Sequence, residues 1–241
     1  MKAMIFAAGR GERMRPLTDT CPKPLLKVRG KPLITYHIAN LVRAGITDIV
    51  INHAFLGHMI EEALGDGSRF GARIAYSPEA NALETAGGIA NARHLLGDEP
   101  FVAISGDIYA PYFDFEQVKD ALKDTDALGQ PIPIDKRDID WLYLTPNPWH
   151  NPEGDFGMTM YTLSNDVTPK WNFANIGVYR PEMFDGLKAG EVARLGPLMR
   201  TFIDQGRVGG EIYDGPWVNV GTAGQLDELN APFAAQARSR P

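Results

Sequence analysis

Residues 3–8, Ala-Met-Ile-Phe-Ala-Ala, form an unbroken apolar run that stops at Gly9-Arg10-Gly11-Glu12-Arg13. A short run with no polar alternation is the mark of a strand buried on both faces. Such a strand needs a covering layer on each side. The next hundred residues supply them. Residues 32–44 read as an amphipathic helix, with Leu33, Ile34, His37, Ile38, Leu41 and Val42 on one stripe and Gly45 as its stop. Residues 49–51, 72–76 and 101–105 read as strands, and 56–64 and 86–96 as helices. This alternation predicts an α/β chain with a doubly wound, mostly parallel sheet.

The second half is less regular. Stretches 128–133 and 146–154 are rich in Pro, Asn and Gly and read as loops. Strands are expected at 141–145, 156–163, 174–179 and 210–213, and helices at 115–123, 195–205 and 223–229. No repeat or flexible linker separates the halves. With 241 residues, the chain is expected to be one domain over 1–241. Its elaborated second half, about 126–230, forms one wall of a cleft against the first, about 1–125. Ligands of such sheets bind at the carboxyl ends of the strands. The loop after Ala8 and the pair Gly106-Asp107 both fall there.

Charge narrows the partners. The chain carries 24 Lys and Arg against 30 Asp and Glu, a net charge of −6. An acidic surface disfavours nucleic-acid backbones. Cys21 is the only cysteine, so neither an intrachain disulfide nor a Cys-cluster metal site is expected. The apolar run at 3–8 is too short for a signal peptide, and nothing approaches the roughly 20 apolar residues of a membrane helix. A cytoplasmic protein without membrane attachment is expected, as a monomer or small homo-oligomer.

Within this acidic chain the first loop is locally basic, with Arg10, Arg13, Arg15, Lys23 and Lys27 close together. Glycines after a buried strand let backbone N–H groups approach an anion, and the cations add a field for phosphates. The loop lacks the spacing of a P-loop. It also lacks a dinucleotide fingerprint, because Met14 stands at the third glycine and Asn52-His53 replaces the acidic residue. Pro22 and Pro24 fix the backbone on either side of Lys23, which limits the entropy lost on aiming its ammonium.

Three segments taken in order, Ala7-Ala8-Gly9-x-Gly11-x-Arg13-x-x-Pro16-Leu17-Thr18, Pro22-Lys23-Pro24-Leu25-Leu26 and Gly30-Lys31-Pro32-Leu33-Ile34, closely resemble the signature of sugar-1-phosphate nucleotidylyltransferases. The resemblance implies a Rossmann-like nucleotidyltransferase fold, a nucleoside triphosphate, a sugar 1-phosphate and Mg²⁺. It implies that Ala7, Ala8, Gly9, Gly11 and Arg13 hold the triphosphate and that Lys23 contacts the reacting phosphate. Asp107, after the strand 101–105, would be a metal ligand and, with Lys23 and Arg13, part of the catalytic set. A carboxylate beside a triphosphate is repulsive unless a cation lies between them. The second ligand in the resembled family lies in a W-x-D-V-G-T-type motif. Here the chain reads Trp217-Val218-Asn219-Val220-Gly221-Thr222, so an amide oxygen replaces the carboxylate, and Asn219 is the expected second ligand.

Leu83-Glu84-Thr85-Ala86-Gly87-Gly88 resembles the family's L-x-T-x-G segment, which approaches base and ribose. Glu79, Leu83 and Gly88 are the implied contacts, with small residues leaving room for a planar base. Asp155-Phe156-Gly157 and Asn175-Ile176-Gly177 resemble segments that hold the hexose, so Gly157, Asn175 and Asn219 are expected at the sugar. A Glu-Lys-Pro segment common in the family is missing from 164–171, where Lys170 is a candidate substitute. The ETAGG segment, this missing segment and the short chain most resemble the branch acting with UTP on N-acetylmuramate 1-phosphate in cell-wall recycling. A mannose-1-phosphate guanylyltransferase is the enzymatic alternative, and a non-catalytic nucleotide-sugar sensor the alternative of another class. About twenty residues follow Thr222, which is too few for the β-helical domains longer relatives append, so a bare catalytic domain is expected.

Overall fold

A computed structural model describes residues 1–232. Strand β1 (Lys2–Phe6) has Ala3, Met4 and Ile5 fully buried, as the apolar run demands. It ends two residues short of the run because the next backbone donor, the Ala7 N–H, bonds the Asn52 side chain at 3.0 Å instead of a strand. The basic loop follows, with α1 (Leu17–Thr20) and the hairpin of β2 (Lys27–Val28) and β3 (Lys31–Pro32). Helix α2 (Leu33–Arg43), β4 (Asp48–His53), α3 (Gly57–Leu64), β5 (Arg73–Pro78), α4 (Glu84–Leu96) and β6 (Phe101–Ser105) then alternate as expected.

The rest of the chain extends the same sheet. A short β7 (Ile108–Tyr109) precedes β8 (Asp140–Thr145), β9 (Phe156–Thr159), β10 (Thr162–Ser164) and β11 (Lys170–Tyr179). Helix α5 (Leu195–Asp204), β12 (Val208–Ile212), β13 (Val218–Asn219) and α6 (Ala223–Asn230) complete it. The nine-stranded sheet has the order β5-β4-β1-β6-β11-β8-β12-β10-β9. Its first four strands are parallel. The second half is mixed: β11 runs antiparallel to both β6 and β8, whereas β12 is parallel to β8.

Two sequence expectations change. The single strand at 156–163 is a tight hairpin, β9 and β10, turning at Met160, whose φ is +56°. The helix expected over 115–123 shrinks to one 3₁₀ turn, Gln117–Asp120. Aromatic packing fixes this segment: Phe113 packs edge-on against Phe115, Tyr143 and Tyr213 at 4.8, 4.9 and 5.2 Å between ring centres. Ring contacts of this kind outweigh the weak helix propensity of a short segment.

Alternate residues of β1 serve opposite layers. Ile5 joins Ile38 and Leu41 of α2, whereas Met4 joins Ala86 and Ile89 of α4. A third cluster, Met14, Leu26, Val28, Leu33, Val220 and Leu226, packs the basic loop against α6. Asn230 completes that tie, accepting from the Arg29 N–H at 2.7 Å and donating to the Lys27 carbonyl at 3.0 Å. Among the described residues no helix is long and apolar enough to cross a membrane.

Candidate active site

Parallel register brings the ends of β4, β1 and β6 level, with Phe6 opposite both Asn52 and Ser105. The chain leaves all three strands at the same edge. The Gly106 N–H donates to the Phe6 carbonyl at 2.8 Å, and a β-carbon on Gly106 would lie 2.8 Å from that same oxygen. Glycine therefore lets the two loops touch. Gly11 has φ +69°, and a β-carbon there would meet Thr18 at 3.0 Å and Lys23 at 3.3 Å. Lys23, nearly buried between its prolines, extends to Asp107, with Nζ 2.5 Å from Oδ2. A cavity of about 290 Å³ here is lined by Ala7, Ala8, Gly9, Lys23 and Asp107, five of the expected nucleotide and catalytic residues.

The other loop cations separate into two groups. Arg10 lies over the Phe55 ring at 4.1 Å, and Arg15 pairs with Asp19 at 2.8 Å. Both serve their own neighbourhood. Arg13 instead reaches the C-terminal motif: a β-carbon on Gly221 would stand 3.3 Å from its Nη2. Gly221 makes room for that guanidinium.

Asn219 is brought to Asp107 by backbone pairing. Strand β13 pairs antiparallel with β7, Asn219 facing Ile108, and the Val220 N–H donates to the Asp107 carbonyl at 2.9 Å. The Asn219 Oδ1 is buried and has no hydrogen-bond partner among the described residues. A buried acceptor left unpaired costs about 1–3 kcal/mol unless something supplies the missing partner. Beneath this small sheet, His37 of α2 is fully buried and its Nε2 lies 2.8 Å from the Ile108 carbonyl. Burial pushes its imidazole down to about 4, against the opposing pull of that carbonyl and of Asp107. At neutral pH it is an uncharged ring that donates to Ile108. Asn40, one turn on, donates to the Pro111 carbonyl at 3.0 Å.

The base-side segment is built differently from expectation. Glu79 is buried and both its oxygens are used internally: Oε1 accepts from Asn52 Nδ2 at 2.7 Å and Oε2 from the Leu83 N–H at 2.9 Å. Asn52 thus joins the end of β1 to Glu79. Gly88 exists for this pair, because a β-carbon would lie 2.8 Å from Asn52 Nδ2 and 2.9 Å from Glu79 Oε1. Gly87 is equally occupied: a β-carbon would lie 2.2 Å from the Glu191 carbonyl. At both glycines the close neighbour is the protein itself. Glu79, Leu83 and Gly88 fix the 79–88 segment from inside and do not line the cavity. His53 bonds Glu61, Nε2 to Oε1, at 2.7 Å.

On the sugar side a second cavity, about 470 Å³, opens between α4, α5 and β11. Asn175 and Asn219 line it. Asn175 sits at a bulge in β11 between Phe173 and Ile176, with φ +56°, a conformation asparagine tolerates better than most residues. Gly157 does not reach the cavity: its open side is filled by Val167, whose carbonyl would lie 1.9 Å from a β-carbon. Its neighbours Asp155 and Phe156 line the wall instead. Lys170 is likewise absent from it. Two guanidinium groups, Arg194 and Arg200, face the cavity. Arg200 is engaged, donating to Asn165 Oδ1 at 2.8 Å and lying 4.8 Å over the Phe156 ring.

With this geometry in place, comparison with known proteins is direct. The family model "Nucleotidyl transferase" matches residues 2–136, more than half of the chain. The chain belongs to the nucleotidyl transferase family. It is 51% identical over 238 residues to an N-acetylmuramate alpha-1-phosphate uridylyltransferase of Neisseria meningitidis serogroup B, covering 96% of this chain and 97% of that one. A protein of the same description from Caulobacter vibrioides is 29% identical, over 98% and 96% of the two chains. A crystal structure from Bacillus anthracis described as a glucose-1-phosphate thymidylyltransferase shares the fold, with TM-score 0.79 and 22% identity, covering 100% and 96% of the two chains.

In this transferase the residues around Asp107 fit a divalent cation of the hard, oxygen-seeking kind. Among the described residues no group of three or more His, Cys, Asp or Glu could hold a metal by itself. One carboxylate and one unpaired amide oxygen suit Mg²⁺, which keeps several waters and takes the rest of its shell from substrate phosphates.

Sequence reasoning missed Asn52, Glu84, Arg194 and Arg200. Asn52 carried a signal, since it stands where a dinucleotide fold would place an acid, but that signal only excluded a cofactor. Nothing in the local sequence places Arg194 beside residue 84.

Proposed function

We propose that this transferase moves the uridylyl group of UTP to N-acetylmuramate α-1-phosphate and releases pyrophosphate. The observation that carries the chemistry is the convergence of Lys23, Asp107 and the unpaired Asn219 oxygen at one edge of the sheet. The choice of sugar is supported by the relatives' descriptions and by two guanidinium groups on a cavity that would face a carboxylate-bearing hexose.

The sugar phosphate needs no general base, because a phosphate monoester with a second pKa near 6 is already mostly dianionic at pH 7. Its oxygen forms a bond to the α-phosphorus of UTP in line with the bond that breaks to the β-phosphate. The electron pair of the breaking bond leaves with pyrophosphate, and no protein group is covalently modified. The loop 7–11 presents backbone N–H groups to the triphosphate, and Arg13 closes that side from Gly221. The Lys23 ammonium neutralises charge at the α-phosphate, held in aim by Pro22, Pro24 and Asp107. Asp107 and Asn219 would hold Mg²⁺, which supplies charge neutralisation across the phosphates. The set accounts for the lack of a Ser-His-Asp or Cys-His constellation. Such an enzyme works in the cytoplasm, where UTP is available, as a step in peptidoglycan recycling.

The test is a matrix of five nucleotides against several sugar 1-phosphates, scored by pyrophosphate with and without Mg²⁺. Pyrophosphate is expected when UTP, N-acetylmuramate 1-phosphate and Mg²⁺ are supplied together. A preference for GTP with mannose 1-phosphate overturns the assignment of substrates. Silence across the whole matrix overturns catalysis in favour of a sensor.

A further inference from the structure

Glu84 opens α4 with φ +62°, in the left-handed region that favours glycine. Non-glycine residues held there carry strain, which is retained where function requires it. Glu84 is the first residue of α4, directly after its N-cap Leu83, and its side chain is about half exposed. Its ion pair with Arg194, Oε1 to Nε at 3.8 Å, joins two exposed groups, and exposed pairs contribute little to stability. That pair does little to offset the strain at this residue.

Its position, however, is rigidly set. Segment 191–194 is zipped to the start of α4: the Gly87 N–H donates to the Ala193 carbonyl and the Ala193 N–H to the Leu83 carbonyl, both at 3.0 Å. Gly87 has no β-carbon because the Glu191 carbonyl lies against it. The zipper places Arg194 directly after its last bond and Glu84 directly after its first. Both side chains line the sugar-side cavity, and Glu84 also lines the nucleotide-side one. An acceptor and a charged donor thus stand side by side where a sugar 1-phosphate would meet the nucleotide. Arg200 on the same cavity already holds Asn165, which leaves Arg194 as the guanidinium with donors to spare.

We propose that Glu84 and Arg194 are a specificity pair that reads two adjacent substituents of the hexose. The Glu84 carboxylate accepts the N–H of an acetamido group at C2. Arg194 turns from Glu84 to the carboxylate of the ether substituent at C3. N-acetylmuramate carries this donor and this acceptor on neighbouring carbons. N-acetylglucosamine keeps only the first, and glucose has neither. The inference rests on the proposed sugar, and it adds which residues choose it.

The test uses Glu84→Gly, which suits the backbone and keeps the fold, and Arg194→Gln. Three quantities are read: kcat/KM for N-acetylmuramate 1-phosphate, inhibition constants for N-acetylglucosamine 1-phosphate and glucose 1-phosphate, and KM for UTP. Arg194→Gln should lower kcat/KM for N-acetylmuramate 1-phosphate 10- to 100-fold and leave both inhibition constants within twofold. Glu84→Gly should weaken both N-acetylated sugars about tenfold, leave glucose 1-phosphate within twofold and raise the thermal midpoint. UTP KM should move less than twofold in each. A shifted UTP KM with unchanged sugar discrimination assigns Glu84 to the nucleotide and overturns the pair. Equal losses for all three sugars overturn it as well. A wild-type enzyme that ignores N-acetylmuramate 1-phosphate sinks the parent reading instead, so the two failures are distinguishable.

Discussion

Lys23 Nζ stands 2.5 Å from Asp107 Oδ2, a contact between residues 84 positions apart. It joins the basic loop to the end of β6, and it makes the ammonium and the carboxylate parts of one unit. Lys23→Ala removes the positive member while Asp107, about one-third exposed, stays hydrated. kcat should fall about 10²- to 10³-fold, the range seen when one preorganised transition-state donor is lost. The thermal midpoint should change little. Turnover near the wild-type value would remove Lys23 from the chemistry.

The unpaired Asn219 oxygen next to Asp107 leads to a metal-titration experiment. Asn219→Asp keeps the shape and adds a charge, so less Mg²⁺ should be needed for half-maximal rate, by about three- to tenfold. Activity should persist. An unchanged Mg²⁺ titration would show that Asn219 does not ligate.

What could be read from the sequence follows the physics of each signal. The parallel half was legible because β1, β4 and β6 are buried on both faces and α2 carries one apolar stripe. Gly11 and Lys23 share one loop and Asp107 follows one strand end, so a resemblance carried by short ordered motifs could single them out, and Lys23 and Asp107 do meet. A glycine reports close approach without saying what approaches, as Gly157 and Gly88 illustrate. In both cases the neighbour is the protein itself, Val167 or the Asn52–Glu79 pair. The 3₁₀ turn at Gln117–Asp120 was hidden because the segment leading into it is anchored at Phe113 by Tyr143 and Tyr213, distant in sequence. Arg194 was hidden for the same reason.

His37 looks like one more residue of an apolar stripe, yet it holds the Ile108 carbonyl beneath the β7–β13 pair. His37→Leu fills the space but leaves that carbonyl without its donor. The variant should lose about 1–3 kcal/mol of stability. It should also need more Mg²⁺ for half-maximal rate, because Asp107 and Asn219 flank the displaced segment. His37→Gln, which restores a donor, should recover much of the Mg²⁺ response. A stability loss with an unaltered Mg²⁺ titration would make His37 purely structural.

Two glycine-to-alanine changes separate packing from composition. At Gly87 the new methyl would lie 2.2 Å from the Glu191 carbonyl and 3.0 Å from the Ala193 nitrogen, both backbone atoms that cannot swing aside. Overpacking of this kind costs about 1–3 kcal/mol. It should also raise KM for the sugar phosphate, because Arg194 rides on the displaced segment. At Gly186 nothing lies within 4 Å, and alanine should be close to neutral. Similar denaturation midpoints for the two variants would refute the steric account.

Asp140 is fully buried at the start of β8, and neither carboxyl oxygen has a hydrogen-bond partner among the described residues. Burial, with a smaller push from Asp138, raises it well above its ordinary value of 3.8. The folded protein therefore keeps this proton while the unfolded chain releases it as pH climbs past about 4. Stability from this group is complete below the unfolded value and is lost with rising pH, by up to about 1.4 kcal/mol per pH unit. Asp140→Asn has a similar shape and no such proton to lose. Urea midpoints of wild type and variant should differ least near pH 4, and the variant should gain on the wild type as pH rises from there. A difference that stays constant across that range would mean that Asp140 is already ionised in the fold.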